Sequence, residues 1–247
     1  MTVPEPLIPY SRECVQSQRE HWRHNKWLPV FRDHDHLDLY DELVSHDEQA
    51  NGIARSFIHD RAGRKPIELF LLTMVWGFGM GNNLGPFRTD RILNEKRATE
   101  KLGSIVEASR RDGAAAGWHA LVRTQKIRYL DISFGTKLLY FAGYKEPHRP
   151  RPLILDDRVR WSLYDLARGT VPPPGPYRLN EAHYMQYLEK AEAWAAAPSW
   201  SQEPDVVEFG LYELNGVYDV TVCIDPHRQR AGRTTENKRG RLTGPRG

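Results

Sequence analysis

Residues 68–80 read ELFLLTMVWGFGM, an almost unbroken apolar run with glycines near its end. The run is too short for a membrane span, which takes about 20 residues, and too long for an ordinary strand of about 5–6. It reads as a helix, and nearly every other patterned segment does too. Residues 12–27 form a polar helix; residues 89–101 and 104–111 form two amphipathic helices with glycines as breaks around them. Residues 114–124 carry apolar positions at helical intervals. The aromatic run 132–144 follows shortly after.

The second half continues the pattern. A connection rich in Pro, His and Arg (YKEPHRPRP) leads to the apolar residues 153–155. Asp156 and Asp157 then open the helix RVRWSLYDLAR, an aspartate being a natural cap. VPPPGPY fits neither helix nor central strand and reads as a rigid linker. Asn180 caps a long helix that stops at Pro198, and a last helix spans 205–214. Residues 216–224 alternate as a short strand would, with no partner strand identified. The expected fold is all-α, two helical lobes around a cleft, with residues 1–227 as one unit.

The charge is unevenly spread. Residues 228–247 take 7 of the 35 basic residues and 1 of the 32 acidic ones, so the formal charge of +3 covers a body near −3. A segment of Arg, Gly, Thr and Pro without aromatics reads as a disordered tail, suited to phosphate contacts or to solvation alone. Cys14 and Cys223 are the only cysteines, which excludes a disulfide framework and four-cysteine zinc or iron–sulfur sites. The first residues lack a basic segment followed by an apolar one, so no signal peptide is visible and the cytoplasm is the expected compartment.

One residue breaks the apolar logic. Lys137 stands within ISFGTKLLYFAGY and, if that run is helical from about Gly135, shares a face with Tyr140, Phe141 and Tyr144. It either snorkels from a core along its stem or is held there for its amine. Apolar surroundings favour the neutral, nucleophilic form of an amine. In the segment Ser133, Phe134, Gly135, Thr136, the glycine permits a tight turn, and amides at the start of the following helix can meet a phosphate. Nineteen residues on, LILDDRVRW delivers Asp156 to a helix start.

G-x-K followed at this interval by apolar-apolar-Asp-x-x-apolar resembles the helix–hairpin–helix DNA glycosylases. The resemblance is greatest to the 8-oxoguanine DNA glycosylase branch, which reads G-T-K as here (Gly135, Thr136, Lys137). It implies that Lys137 attacks the sugar C1′ and that Asp156, rather than Asp157, assists. In residues 80–93, MGNNLGPFRTDRIL, Asn82 or Asn83 would fill the gap left by an extruded nucleotide. Asp205 and Phe209 match the positions that present one polar and one aromatic residue to the flipped base. The implied partner is double-stranded DNA with a damaged or modified base, contacted by the hairpin residues Ser133 to Thr136. No membrane and no cofactor are implied; a monovalent cation at the hairpin is compatible, and the oligomeric state is left open. Oxidised guanine is the first expectation for the base. A hypermodified base such as some phages carry fits equally and would mean defence rather than repair.

The sequence departs from the family in having Ser133 where an additional glycine is usual, and in lacking a clear β-rich N-terminal lobe. Two other readings stand beside the enzyme. One is a module of the same fold that recognises modified bases or DNA ends without cutting. The other, weaker, is a metal-dependent hydrolase built on Asp33-His34-Asp35-His36; adjacent ligands alternate sides in an extended chain, which argues against it. Arg61, Arg64 and Lys65 are surface charge or phosphate contacts.

Overall fold

The computed structural model describes residues 2–81 and 84–215. Asn82, Asn83, the alternating segment 216–224 and the basic tail lie outside the described residues. Within them the elements are α1 (Arg12–Ser17), α2 (His24–Asp33), α3 (Leu37–Ala50), α4 (Arg55–His59), α5 (Pro66–Phe78) and α6 (Leu84–Leu93). There follow α7 (Ala98–His119), α8 (Ile132–Gly143), α9 (Asp157–Leu166), α10 (Glu181–Ala195) and α11 (Pro204–Leu214). Two-residue strands β1 (Arg19–Glu20) and β2 (Ile53–Ala54) pair antiparallel, Arg19 opposite Ala54. The class is all-α, and no helix of the described residues is long and apolar enough to cross a membrane.

The apolar run becomes α5. Pro66 occupies its first turn, where a missing N–H costs nothing, and Gly79 at φ 51° ends it. Leu69, Phe70, Leu71, Leu72, Met74, Val75 and Trp76 are all buried, each large apolar side chain contributing roughly 1.5–3 kcal/mol. Helix α8 is buried without interruption from Phe134 to Gly143. It packs against α5 on one side and α7 on another. Small residues set the approach of α8 to α7 and to the turn that follows it. A Cβ on Gly135 would stand 2.4 Å from Leu121 Cδ2, and one on Gly143 would stand 2.5 Å from Ser109 Oγ, closer than van der Waals contact allows. The second group, α9, α10 and α11, packs together with α1 on α11.

Several expected boundaries move. Residues 12–27 are not one helix: the chain turns extended at Gln18, whose carbonyl accepts from Arg55 N–H at 3.2 Å and whose side chain accepts from Arg55 Nε at 2.9 Å. Residues 98–119 form one helix through Gly103, which faces open space and costs only about 1 kcal/mol of propensity. The kink comes instead at Gly113, φ 85°. Helix α8 begins at Ile132 rather than Gly135, so Gly135 is a packing position inside the helix and not the turn. The turn is made upstream, by a π-helical turn (Ala120–Thr124) and residues 125–131.

Candidate active site

Asp131 caps α8: its Oδ1 accepts from Phe134 N–H at 3.1 Å, and its carbonyl accepts from Gly135 N–H at 2.8 Å. Arg88 of α6 reaches the same carboxylate at 2.7 Å. Two of the first-turn amides expected to meet a phosphate are therefore engaged within the chain. Phe134, Gly135 and Thr136 are buried and pack within the fold. Phe134 stacks on Phe78, ring centroids 4.1 Å apart. Ser133 alone of the four lines an open cleft.

One turn on, Lys137 is buried, its stem against Gly77 of α5: a Cβ there would lie 3.0 Å from Lys137 Cδ. Its Nζ donates to Asp156 Oδ2 at 3.2 Å and to Ser133 Oγ at 3.4 Å, and stands 5.4 Å from the Phe134 ring centre. The other Asp156 oxygen caps α9, accepting from the Arg158 and Val159 N–H groups at 3.1 Å each. Burial pushes the Asp156 carboxyl up, but Lys137, the Val159 amide and the Arg158 charge outweigh it and hold the carboxyl below the ordinary carboxylate range. Asp157 faces solvent and pairs with Arg160, so Asp156 is the carboxylate that meets the lysine.

What aligns the pair was invisible in the sequence. Thr136 Oγ1 donates to the Ile132 carbonyl at 2.8 Å and accepts the Leu155 N–H at 2.9 Å. The hydroxyls of Tyr184 and Tyr187, on α10, donate to the Leu153 and Ile154 carbonyls at 2.9 and 3.0 Å. The three residues before Asp156 are thus tied to α8 and α10 by buried hydrogen bonds. Only the capping asparagine of α10 had a sequence signal; its Oδ1 accepts from His183 N–H at 2.9 Å.

Asp156 and Ser133 line a cleft of about 1300 Å³ whose walls also include Trp118, Arg123, Lys126, Arg158, Tyr177 and Arg178. Lys137 lies just behind these two lining residues. The volume exceeds the roughly 300–1,000 Å³ of ordinary small-molecule sites.

Asp205 and Phe209 are not on that cleft. Both are buried on α11. Asp205 Oδ2 pairs with Arg12 of α1 and accepts from Tyr140 OH at 3.2 Å, and Phe209 meets Tyr10 edge-on at 5.9 Å. The N-terminal segment covers them. Beside them Arg55 and Glu208 form a fully buried ion pair, N to O 2.5 Å, with Arg55 over the Trp76 and Tyr140 rings. Burial pushes Glu208 up to about 7 against the pull of Arg55. Burial also holds His59, ringed by Tyr140, Phe141 and Tyr144, down to about 3.

The Asp-His run makes no joint site. His34 pairs with Asp90 at 3.1 Å and Asp33 with Arg32, and among the described residues no group of three or more His, Cys, Asp or Glu could hold a metal. Arg61 and Arg64 both grip Glu42, at 2.6 and 2.5 Å, so their charges are used within the fold.

No curated protein and no solved structure matches the chain. A family model does, over residues 13–212, a span holding Lys137, Asp156, Asp205 and Phe209, and the chain belongs to the family described as "Putative 8-oxoguanine DNA glycosylase OGG-like protein".

Proposed function

We propose that the chain is a DNA glycosylase that excises a damaged or modified base through Lys137, with Asp156 as its partner. The observation that carries this reading is an amine 3.2 Å from a carboxylate that faces a cleft large enough for a nucleotide. A lysine can give up its proton, unlike an arginine. When a bound nucleotide excludes water from the pair, desolvation favours the neutral amine and acid over the two ions, and the proton passes from Nζ to Asp156.

The freed lone pair of Nζ attacks C1′ as the C1′–N bond to the base breaks, its electrons leaving with the base. The base takes up the proton from Asp156, and the restored carboxylate offsets the positive charge developing on the sugar. Opening of the sugar ring, in which the C1′–O4′ bond breaks and O4′ takes up a proton from Nζ, then gives an iminium between Nζ and C1′. Loss of a C2′ proton from that adduct, with expulsion of the 3′ phosphate, nicks the strand. Oxidised guanine is the first substrate to try, because of the family; a hypermodified base comes next.

Borohydride reduction during turnover is expected to trap a protein–DNA adduct in the wild type and none in Lys137→Ala. An adduct that persists in that variant removes the assignment. Asp156→Asn is expected to fold and to excise at least about 10²-fold more slowly. Mass spectrometry of free bases released from damaged and modified duplexes identifies the substrate.

A second reading, a DNA-recognition module without chemistry, is favoured by the burial of Asp205 and Phe209 under Tyr10 and Arg12. It predicts tight DNA binding, no released base and no adduct.

A further inference from the structure

The proline-rich segment VPPPGPY (171–177), read from the sequence as a linker, runs into the cleft, which Tyr177, Arg178 and Leu179 line. It is held there by Arg160 of α9, whose Nε donates to the Pro172 carbonyl at 3.3 Å and whose Nη2 donates to the Pro173 carbonyl at 2.7 Å. Thr170 and Val171 are buried at its base. Prolines and this double anchor leave the loop little freedom to lose on binding. Its tip nevertheless carries a large ring in the open: Tyr177 is 60% exposed and is followed by exposed Arg178.

The charges around the cleft do not balance. Of its four carboxylates, Asp131 is matched by Arg88, Asp156 by Lys137 and Asp157 by Arg160, at 2.7–3.2 Å, and Glu181 lies 3.9 Å from His119. Arg123 and Lys126, on the hairpin side, and Arg178, on the loop side, have no carboxylate partner among the described residues. Arg158 lies over the Tyr212 ring at 4.5 Å, also without an ion pair among those residues. Unmatched cations from two separate stretches of the chain lining one cleft, with an exposed flat side chain beside them, suit a phosphodiester strand with an unstacked base.

We propose that this cleft is the track for the DNA strand carrying the target nucleotide. In it, Arg123, Lys126 and Arg178 contact phosphates, and Tyr177 stacks on a base beside the target. The proposal rests on the glycosylase reading for the identity of its occupant. It adds a binding surface beyond the hairpin, built by the end of a loop that the sequence motifs of the family resemblance did not include.

The test is fluorescence anisotropy with a labelled duplex containing one 8-oxoguanine, titrated at several salt concentrations, in parallel with the borohydride assay. Arg123→Ala and Arg178→Ala are each expected to lower the slope of log K against log salt by about 1. Tyr177→Ala is expected to weaken binding by about 5- to 150-fold with the slope unchanged. Arg32→Ala, exposed and away from the cleft, is expected to change neither. Wild-type slopes and affinities in all three cleft variants overturn the proposal, even if the wild type still forms the adduct. Cleft effects as expected without any adduct or released base uphold the track and overturn the catalytic reading. A wild type that binds no DNA overturns both.

Discussion

Two ion pairs adjoin α8, Arg55–Glu208 against the Tyr140 ring and Lys137–Asp156 at Lys137 itself, and they differ in what they are allowed to do. Arg55–Glu208 is sealed, with side chains 2% and 1% exposed, while Lys137–Asp156 sits at the cleft edge at 9% and 12%. Arginine cannot give up its proton, and its planar fork fits a fixed partner. The sealed pair therefore fixes the packing of α4 on α11. Lysine can be neutralised, and the open side of its carboxylate faces space that a substrate can fill. The same charge pairing serves architecture where water is excluded permanently and suits chemistry where water can be excluded on demand.

Removing one partner from each pair tests that contrast most severely. Glu208→Ala is expected to destabilise the fold by roughly 3–5 kcal/mol, since it leaves a buried guanidinium without countercharge. Lys137→Ala is expected to lose only about 1–2 kcal/mol, because Asp156 keeps two amide donors and faces the cleft. Urea unfolding of both variants measures the difference; equal losses would mean that the two pairs do the same structural job.

A smaller change sharpens the comparison by leaving both pairs intact. Thr136→Val removes the acceptor of the buried Leu155 N–H and is expected to cost about 1–3 kcal/mol. A misplaced Asp156 should also slow excision on the order of 10-fold, and Thr136→Ser should restore it. Slow excision that the serine variant fails to rescue would show that volume, not the hydrogen bond, is what matters.

The subtlest test is pH. His59 binds its proton only near pH 3 in the folded chain against an ordinary value of 6.5, so the unfolded chain takes up more protons between the two. The stability this neutral ring contributes is present above about 6.5 and lost as pH falls below it, by up to about 1.4 kcal/mol per unit. Glu208, raised to about 7, acts with the opposite sign over part of this window. The measurement is therefore the wild type against His59→Phe. The variant is expected to gain on the wild type steadily as pH drops from 6.5, and parallel curves would place His59 in contact with water.

The tyrosines and threonine that hold residues 153–155 show where sequence reading stopped. Lys137 and Asp156 were legible because a lone lysine in an apolar helix and an aspartate at a helix start are local signals. Their 19-residue interval also matched a known pattern. Nothing local marked Arg55, whose partner Glu208 lies 153 positions away, or Arg12, whose partner Asp205 lies 193 away. Asp205 and Phe209 were assigned by resemblance to a base pocket, and the segment that covers them is far distant in sequence.

By itself, the sequence determined a helical protein, a buried α5, the capped starts of α9 and α10, and an amine with a carboxylate partner. Periodicity, caps and glycines act within a few residues and can be read along the chain. Tertiary structure alone decided that Gly135 is a contact rather than a turn, that Asp131 engages the first amides of α8, and that the end of a proline loop lines the cleft. Those outcomes depend on which surfaces pack together, because close approach and burial are set by residues that meet only when the chain has folded.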